Sequence, residues 1–208
     1  MTVIEDMNWR YAVKVFDSAK KVPQKDLDEL LEVLRLSPSS FGLQPWKFLL
    51  ITDSKIRAEL RKNSWDQPKV TDASQLIVLC ARTDMNEAYV HKFVKSIAET
   101  RGIPVDALKD YQGMMLGSVT GRSQEDLLNW SKKQVYISLG TLLTACAVKR
   151  IDACPMEGFD ATAYDKILGL AQKGLTATVV CAVGYRGADE AAKDKKVRFP
   201  KSEVITEI

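Results

Sequence analysis

Residues 37–46 read S-P-S-S-F-G-L-Q-P-W and separate a segment of helical pattern from a short apolar run. Pro38 and Pro45 lack an amide hydrogen and hold φ near about −65°, so neither a helix nor a central strand can run through this stretch. The residues between the prolines offer hydroxyls, a side-chain amide and an accessible backbone: Ser39, Ser40, Gly42 and Gln44. This composition predicts a rigid loop that presents hydrogen bonds to a polar ligand, although an ordinary surface loop has the same composition.

The flanking segments predict a helix before this loop and a buried strand after it. Four leucines recur at helical spacing between Pro23 and Leu36: Leu27, Leu30, Leu31 and Leu34. They predict a helix that begins just after Pro23 and ends near Leu36. The continuous apolar run at residues 48–51 predicts a buried strand.

Five further elements are predicted along the chain. A short helix is capped at Asp53 or Ser54 and ends at Lys62, and a third helix covers residues 86–101. Continuous apolar runs predict strands at residues 75–81 and 176–183. The longest helix starts after Ser123 and runs to Lys149. Its middle is small and apolar nearly all round, which predicts burial in a core or against a second copy of itself.

Two segments are less regular. Residues 102–121 carry spaced glycines among apolar residues, which favours a mobile apolar lid over a pocket, with a plain irregular loop as the alternative. Residues 152–159 are interpreted as a short turn that opens another helix near Asp160.

Composition limits the kinds of function. The chain has 208 residues, of which 46% are hydrophobic and 27% are charged, as expected for one globular domain. Thirty basic residues face 27 acidic ones, and a net charge of +3 spread along the chain makes no nucleic-acid footprint. Local basic clusters remain able to hold a phosphate group.

The cysteines and the single histidine argue against a metal site. Cys80, Cys146, Cys154 and Cys181 form no C-x-x-C pair, which predicts buried free thiols in a reducing compartment. His91 alone cannot complete a histidine-rich cluster. No leader and no bilayer-length apolar span is apparent, so the protein is expected to be cytoplasmic and not bound to a membrane.

Five fragments together resemble one family. They are R-Y-A-V-K at residues 10–14, the loop at 37–46, Q-V-Y at 134–136, P-M-E-G-F at 155–159 and K-V-R-F-P at 196–200. Each fragment is weak alone, but their order and spacing across nearly all of the chain resemble the FMN-dependent nitroreductase family.

The resemblance implies a fold and an assembly. The fold would be an α+β fold of three α/β/α layers within a single domain, residues 1–208. A mixed, mostly antiparallel central sheet would be flanked by helices, and a long central helix would lie at the interface of a homodimer. A C-terminal extension would be swapped onto the partner subunit.

The resemblance also implies an activity. NADH or NADPH would reduce FMN and leave, and a small acceptor such as a nitroaromatic or a quinone would then be reduced in the same pocket. Two alternatives stay open: a specialised member such as a pteridine or free-flavin reductase, and a flavin-binding protein without turnover. Because the cofactor carries the chemistry, no side chain is implied as a general acid.

The first group of implied cofactor-binding residues holds the FMN phosphate. Arg10, Lys196 and Arg198 would clamp this dianion, and a planar guanidinium suits a phosphate better than an ammonium does. Tyr11 and Ala12 would lie in the same part of the site. Ala12 stands where the family often has a hydroxyl residue, so one hydrogen bond is expected to be missing.

The second group lies along the pyrimidine edge of the flavin ring, where reduction places negative charge. Lys14 and Lys69 would tune the flavin there. Asp66 falls where an asparagine usually faces the flavin N3–H, and it is expected to pair with Lys69. A carboxylate accepts that hydrogen bond but donates none, so Gln67 is the counterpart if the register shifts by one residue.

The remaining residues come from two loops. A turn would pass over the flavin ring, and Glu157 is a further tuning candidate within it; the turn comprises Pro155, Met156, Glu157 and Gly158. Ser39, Ser40 and Gln44 would reach the flavin from the other subunit, and Pro38 of the same loop is a further cofactor-binding candidate.

Overall fold

A computed structural model describes residues 2–208. The helices are α1 Val3–Trp9, α2 Gln24–Arg35, α3 Ser54–Lys62, α4 Lys69–Asp72, α5 Glu87–Arg101, α6 Lys109–Thr120, α7 Gln124–Val148, α8 Ala161–Leu168 and α9 Lys201–Val204. The strands are β1 Trp46–Leu50, β2 Gln75–Arg82, β3 Asp152–Met156 and β4 Leu175–Gly184.

The four strands form one sheet in the order β1–β2–β4–β3, so that β1 and β3 are its two edges. All neighbouring strands pair antiparallel, and a register shift between Leu79 and Cys80 bends β2 where it meets β4. A mixed sheet was expected, but within residues 2–208 the only parallel pairing is a single bridge between Ala12 and Ala153. This bridge attaches the N-terminal segment to the β3 edge.

Each face of the sheet is covered by helices. Along β2, Leu76 and Val78 point into a core that includes Leu60 of α3 and Tyr164 of α8. Their neighbours in β2, Ile77 and Leu79, point to the opposite face. There they pack in a second core with residues of α2 and α7: Leu30, Leu34, Val135 and Leu142. Because successive side chains of a strand alternate between faces, one apolar run supplies both cores. The predicted three-layer α/β/α arrangement is confirmed.

The predicted helix starts are confirmed by their caps. The carboxylate of Asp53 accepts the backbone N–H groups of Lys55 and Ile56, so it satisfies two of the free donors at the start of α3. The hydroxyl of Ser123 accepts the N–H of Asp126 over 3.1 Å at the start of α7. The strand predictions for β1, β2 and β4 hold to within two residues at each end. The predicted burial of β1 was wrong, because β1 is an edge strand whose Phe48, Leu49 and Leu50 are only half-buried.

The prediction for residues 102–121 was wrong about their regularity. Lys109–Thr120 forms helix α6, and Met115 and Val119, one helical turn apart, are buried against α5 in a third small core. Glycine lowers helix propensity by roughly 1 kcal/mol relative to alanine, and burial of this apolar stripe offsets that cost. Leu43, from the 37–46 loop, belongs to the same core.

The prediction of a turn over residues 152–159 was wrong for its first half. Asp152–Met156 is strand β3, which pairs antiparallel with β4 from Asp152 opposite Gly184 to Met156 opposite Val180. Pro155 is tolerated because β3 is an edge strand, where a missing amide hydrogen costs no ladder bond. The helix near Asp160 is confirmed as α8, whose Asp160 cap accepts the N–H of Ala163.

All four cysteines are buried and free, as predicted. Burial raises the pKa of Cys80 and that of Cys146 to about 12, so these thiols stay protonated. Within residues 2–208, no three His, Cys, Asp or Glu side chains gather closely enough to hold a metal ion. No helix in that range combines the length and the apolar character needed to cross a bilayer.

Candidate active site

Three predicted phosphate ligands line one pocket. Arg10 enters it from the segment that follows α1, and Lys196 and Arg198 enter from the C-terminal segment. The pocket has a volume of about 340 Å³, and Tyr11 and Ala12 also line it. We call it the cationic pocket. The parallel bridge between Ala12 and Ala153 holds its floor beside edge strand β3.

The predicted cations of the cationic pocket outnumber its one lining carboxylate, the exposed Asp194. The Lys196 ammonium donates to the backbone carbonyl oxygens of Met7 and Arg10. Burial lowers the pKa of Lys196, and the neighbouring charges of Arg10 and Arg198 lower it further. Across the described chain, residues 2–208, no carboxylate forms an ion pair with any of the three cations. This donor set therefore fits a multiply charged anion such as a phosphate.

A buried carboxylate that the sequence analysis missed holds this pocket together. Asp189 is only 7% exposed, and its Oδ2 accepts the Tyr11 hydroxyl and the backbone N–H groups of Lys14 and Val15. Burial opposes ionisation of Asp189, but the Tyr11 hydroxyl and the N–H groups of Val15, Lys14 and Ala191 outweigh it and lower the pKa. The partners lie more than 170 residues away, so no local sequence pattern announces the contact.

A stacked guanidinium also fixes two aromatic side chains that line the cationic pocket. The Arg186 guanidinium lies 4.4 Å from the ring centroid of Trp9 and 4.9 Å from that of Tyr11. Arg186 is fixed in turn by Asp152 of β3, whose Oδ1 accepts its Nε over 2.9 Å. The rings of Trp9 and Tyr11 therefore both stack on one guanidinium, and each stack stabilises the fold by roughly 1 kcal/mol.

The turn after β3 contacts the segment around Trp65. Gln67, predicted for the pyrimidine edge, therefore lies beside Gly158 of the predicted turn. The Gln67 side-chain amide donates to the carbonyl oxygen of Gly158 over 2.9 Å. The indole of Trp65 lies directly on Gly158, where a Cβ would come within 2.0 Å of the ring. On the other side of the turn, the Tyr136 hydroxyl donates to Glu157 Oε1 over 2.5 Å. Burial and this carboxylate raise the pKa of Tyr136 to about 12.

The expected pairing of Asp66 with Lys69 was wrong. Asp66 Oδ1 accepts the Nε of Arg61 over 2.8 Å, and the Asp66 side chain is 78% exposed. Trp65 and Asp66 both have left-handed backbone angles, φ 51° and 53°, which turn the Asp66 side chain back towards α3. Lys69 is instead the first residue of the short helix α4.

The remaining predicted residues of the ring site differ in exposure. Lys14 and Glu157 are exposed, Lys69 and Pro155 are half-buried, and Met156 is buried in the core beside β4. Pro155 and Met156 belong to β3 and pair with Cys181 and Val180. The strand therefore positions the start of the turn at residue 157.

The 37–46 loop lies at the other end of the sheet. Three of its residues have left-handed backbone angles: Phe41, Gly42 and Gln44. The backbone N–H of Ser40 donates to Gln134 Oε1 on α7 over 2.9 Å, while Pro38, Ser40 and Gln44 are exposed. Ser39, half-buried, accepts the N–H of Gln44 over 2.9 Å. A rigid loop with an exposed polar face results.

The structure does not bring the two predicted halves of the site together within one chain. The 37–46 loop leads into edge strand β1, and the cationic pocket lies beside edge strand β3. Three interstrand spacings of about 4.8 Å separate these edges, roughly 14 Å in all. A ligand that touches both halves within one chain would have to span this distance.

The chain is similar to known proteins in sequence and in structure. A sequence profile described as the nitroreductase family matches residues 7–185. A Staphylococcus haemolyticus protein with the provisional name NAD(P)H nitroreductase is 35% identical over 212 residues, covering 98% of this chain and 96% of its own. A Staphylococcus aureus protein of the same provisional name is 37% identical over 198 residues, covering 90% of this chain and 88% of its own.

Solved structures agree on the fold. A Bacillus subtilis nitroreductase, ydfN, also provisionally named, superposes with a TM-score of 0.88 at 20% identity and covers 99% of this chain and 98% of its own. A nitroreductase from Exiguobacterium sibiricum, solved in complex with FMN, gives a TM-score of 0.84 at 18% identity and covers 100% of this chain and 98% of its own. The profile match and the Staphylococcus relatives show that this chain belongs to the nitroreductase family.

Proposed function

We propose that the protein is an FMN-dependent oxidoreductase that uses NADH or NADPH to reduce small acceptors such as nitroaromatics and quinones. The observation that carries this proposal is the cationic pocket, where Arg10, Lys196 and Arg198 converge and the one lining carboxylate, Asp194, forms no ion pair with them. The names of the relatives and the FMN in the Exiguobacterium structure support it.

The residues present fit the FMN phosphate. Two guanidinium groups and one ammonium match its charge and its oxygen acceptors, and Ala12 leaves room without adding a donor. When bound, FMN would accept a hydride from the nicotinamide and pass it to the acceptor. The chain's own residues bind the cofactor, orient its ring and stabilise negative charge near it, for which Lys14 and Lys69 are the candidate cations.

The turn at residues 157–158 is the proposed seat of the reactive edge of the ring. Gln67 fixes the Gly158 carbonyl from one side and Tyr136 fixes the Glu157 carboxylate from the other. A turn held at both ends favours a defined distance between ring and substrate. The exposed Trp65 indole that lies on Gly158 must swing away before the cofactor ring can approach it. Glycine at residue 158 permits the close approach of a flat ring.

The proposed active unit is a homodimer with two shared sites. The 37–46 loop of one subunit would complete the cationic pocket of the other, because the two lie at opposite edges of one sheet. An exposed apolar face supports this assembly: on α7, Ile137 is 43% exposed and Val148 is 55% exposed, and Gly140 lies between them. Such a face is typical of obligate dimers, whose interfaces bury about 2,000 Å² or more. Four buried thiols favour a reducing, cytoplasmic setting.

The visible spectrum of the purified protein tests the proposal. We expect a flavin spectrum that is bleached by NADH or NADPH under anaerobic conditions and restored by a quinone. A flavin that is bound but is not bleached by either nicotinamide would favour the flavin-binding protein without turnover. A colourless protein that binds no added FMN would contradict the proposal.

A further inference from the structure

A second pocket lies beside the 37–46 loop, apart from the cationic pocket. It has a volume of about 290 Å³ and opens between the β1–β2 edge of the sheet and one face of α5. We call it the Lys47–Lys92 pocket. Its lining includes three cations, two aromatic rings and one amide: Lys47, Arg82, Lys92, Tyr89, Phe93 and Gln44.

The charge of this pocket is positive. Arg82 forms two hydrogen bonds with Asp84, 2.8 Å from Nε and 2.7 Å from Nη2, so its charge is compensated. Lys47 on β1 and Lys92 on α5 are exposed, and neither ammonium group has a hydrogen-bond or ion-pair partner among residues 2–208. Two uncompensated ammonium groups on facing elements attract an anion between them.

The same pocket offers aromatic faces. Tyr89 and Phe93 lie one helical turn apart on α5, so their rings project to the same side. The Tyr89 ring is held by the Arg82 guanidinium, 4.8 Å from its centroid, and its hydroxyl donates to the Gln44 carbonyl over 2.9 Å. Phe93 packs against Gly42, where a Cβ would lie 3.3 Å from its ring. The aromatic wall is therefore fixed before any ligand arrives.

We propose that the Lys47–Lys92 pocket binds the anionic group of a planar aromatic substrate of this enzyme. Fixed rings favour stacking of a flat molecule, and paired ammonium groups favour a phosphate or carboxylate attached to it. Two sources supply that chemistry: the 2′-phosphate of NADPH beside its adenine, and the carboxylate of an acidic aromatic acceptor. The inference rests on the proposed function, because Gln44 links the pocket to the loop proposed to reach the flavin of the other subunit.

The test measures dissociation constants by calorimetry on the flavin-loaded protein. The anionic probes are 2′,5′-ADP and 4-nitrobenzoate, and their neutral analogues are adenosine and 4-nitrobenzyl alcohol. The variants are Lys47→Gln and Lys92→Gln. Lys95→Gln is the matched control, since Lys95 lies on the same helix but pairs with Glu99 over 3.7 Å and does not line the pocket.

We expect at least one anionic probe to bind about tenfold more weakly to each pocket variant, the worth of one charge-assisted hydrogen bond. Neutral analogues and the Lys95→Gln variant are expected to show no change. A loss for 2′,5′-ADP assigns the pocket to the coenzyme, and we then also expect the KM for NADPH to rise with that for NADH unchanged. A loss for 4-nitrobenzoate assigns it to the acceptor.

The proposal is overturned if neither anionic probe distinguishes the pocket variants from wild type and from Lys95→Gln. It is also overturned if the wild type binds the anionic probes no more tightly than their neutral analogues. Flavin content and bleaching by the nicotinamides are read separately from the absorbance, and they test the proposed function alone. A failure of one can therefore be told from a failure of the other.

Discussion

The backbone N–H of Lys14 donates a hydrogen bond to Oδ2 of Asp189 over 2.6 Å. The same oxygen accepts the Tyr11 hydroxyl and the N–H of Val15, so one carboxylate holds the N-terminal segment where it passes the sheet edge. The chain continues from Asp189 to Lys196 and Arg198, which face Arg10. Asp189 is thus a positioning residue that brings together two cationic segments far apart in sequence.

We predict that Asp189→Asn weakens FMN binding about tenfold and lowers the free energy of unfolding by roughly 1–3 kcal/mol, because buried donors lose an ionised acceptor. Flavin fluorescence titration and denaturant unfolding measure the two effects. Asp194→Asn is the control, since this exposed carboxylate lines the same pocket. It removes an equal charge, yet we expect it to leave stability unchanged and FMN binding equal or tighter. Equal behaviour of the two variants would contradict the assigned role.

The lowered pKa of Asp189 also sets an acid dependence. Because the pKa in the folded protein lies below that of the unfolded chain, about 3.9, ionised Asp189 stabilises the fold above that value. This stability is lost as the pH falls through the lower pKa of the folded state. Unfolding measured from pH 6 downward is therefore expected to show an acid loss in wild type that is smaller in Asp189→Asn.

The cationic pocket predicts a loss specific to the phosphate. Arg198→Ala removes an exposed guanidinium, so we expect FMN to bind about tenfold more weakly, as for one charge-assisted hydrogen bond. Riboflavin, which lacks the phosphate, is expected to lose almost nothing. Lys193→Ala is the control, because Lys193 pairs with Glu190 and does not line the pocket. Equal losses of FMN and riboflavin affinity would remove Arg198 from the phosphate site.

Gly140 offers a test of the dimer. A Cβ at this exposed position of α7 meets no atom within 4 Å, so Gly140→Lys fits the isolated chain. In a dimer built on this face, the new side chain would be forced into the interface. We expect a monomer by light scattering and a loss of bound FMN.

Gly113 provides the matched control on α6. It is also exposed, helical and without neighbours within 4 Å of a Cβ. Gly113→Lys is therefore expected to keep both the dimer and the flavin. A dimeric Gly140→Lys protein with bound flavin would place the interface elsewhere.

Gly158 and Trp65 predict a separation of stability from cofactor binding. In Gly158→Ala the new methyl group would lie 2.0 Å from the indole, so Trp65 must move. Trp65 is 77% exposed, so it moves cheaply, and we expect the free energy of unfolding to fall by less than about 1 kcal/mol. FMN affinity is expected to fall, because the methyl group narrows the approach to the turn.

The double variant Trp65→Ala/Gly158→Ala distinguishes the two effects. Its stability is expected to return to that of Trp65→Ala, since the clash is gone, while FMN binding stays weak. Recovery of FMN binding in the double variant would mean that the displaced indole, and not the methyl group, blocks the cofactor.

Much of the fold follows from local pattern. The continuous apolar runs that form β2 and β4 place side chains in the cores on both faces of the sheet. The caps at Asp53, Ser123 and Asp160 mark helix starts through hydrogen bonds to backbone groups within three residues. Such signals are local, so the sequence alone carries them. The resemblance of residues 10–14 and 196–200 to the nitroreductase family implied Arg10, Lys196 and Arg198 as one group, and all three line one pocket.

Other features depend on partners that are distant in sequence. Strand β3 is short and contains a proline, so only its pairing with β4 reveals it, and α6 is stabilised by its contact with α5 more than by its glycine-containing sequence. Asp66 forms an ion pair with Arg61 and not with Lys69, because left-handed backbone angles at residues 65 and 66 turn its side chain towards α3. Asp189 positions the N-terminal segment through donors more than 170 residues away in sequence, and only the folded structure brings these groups into contact.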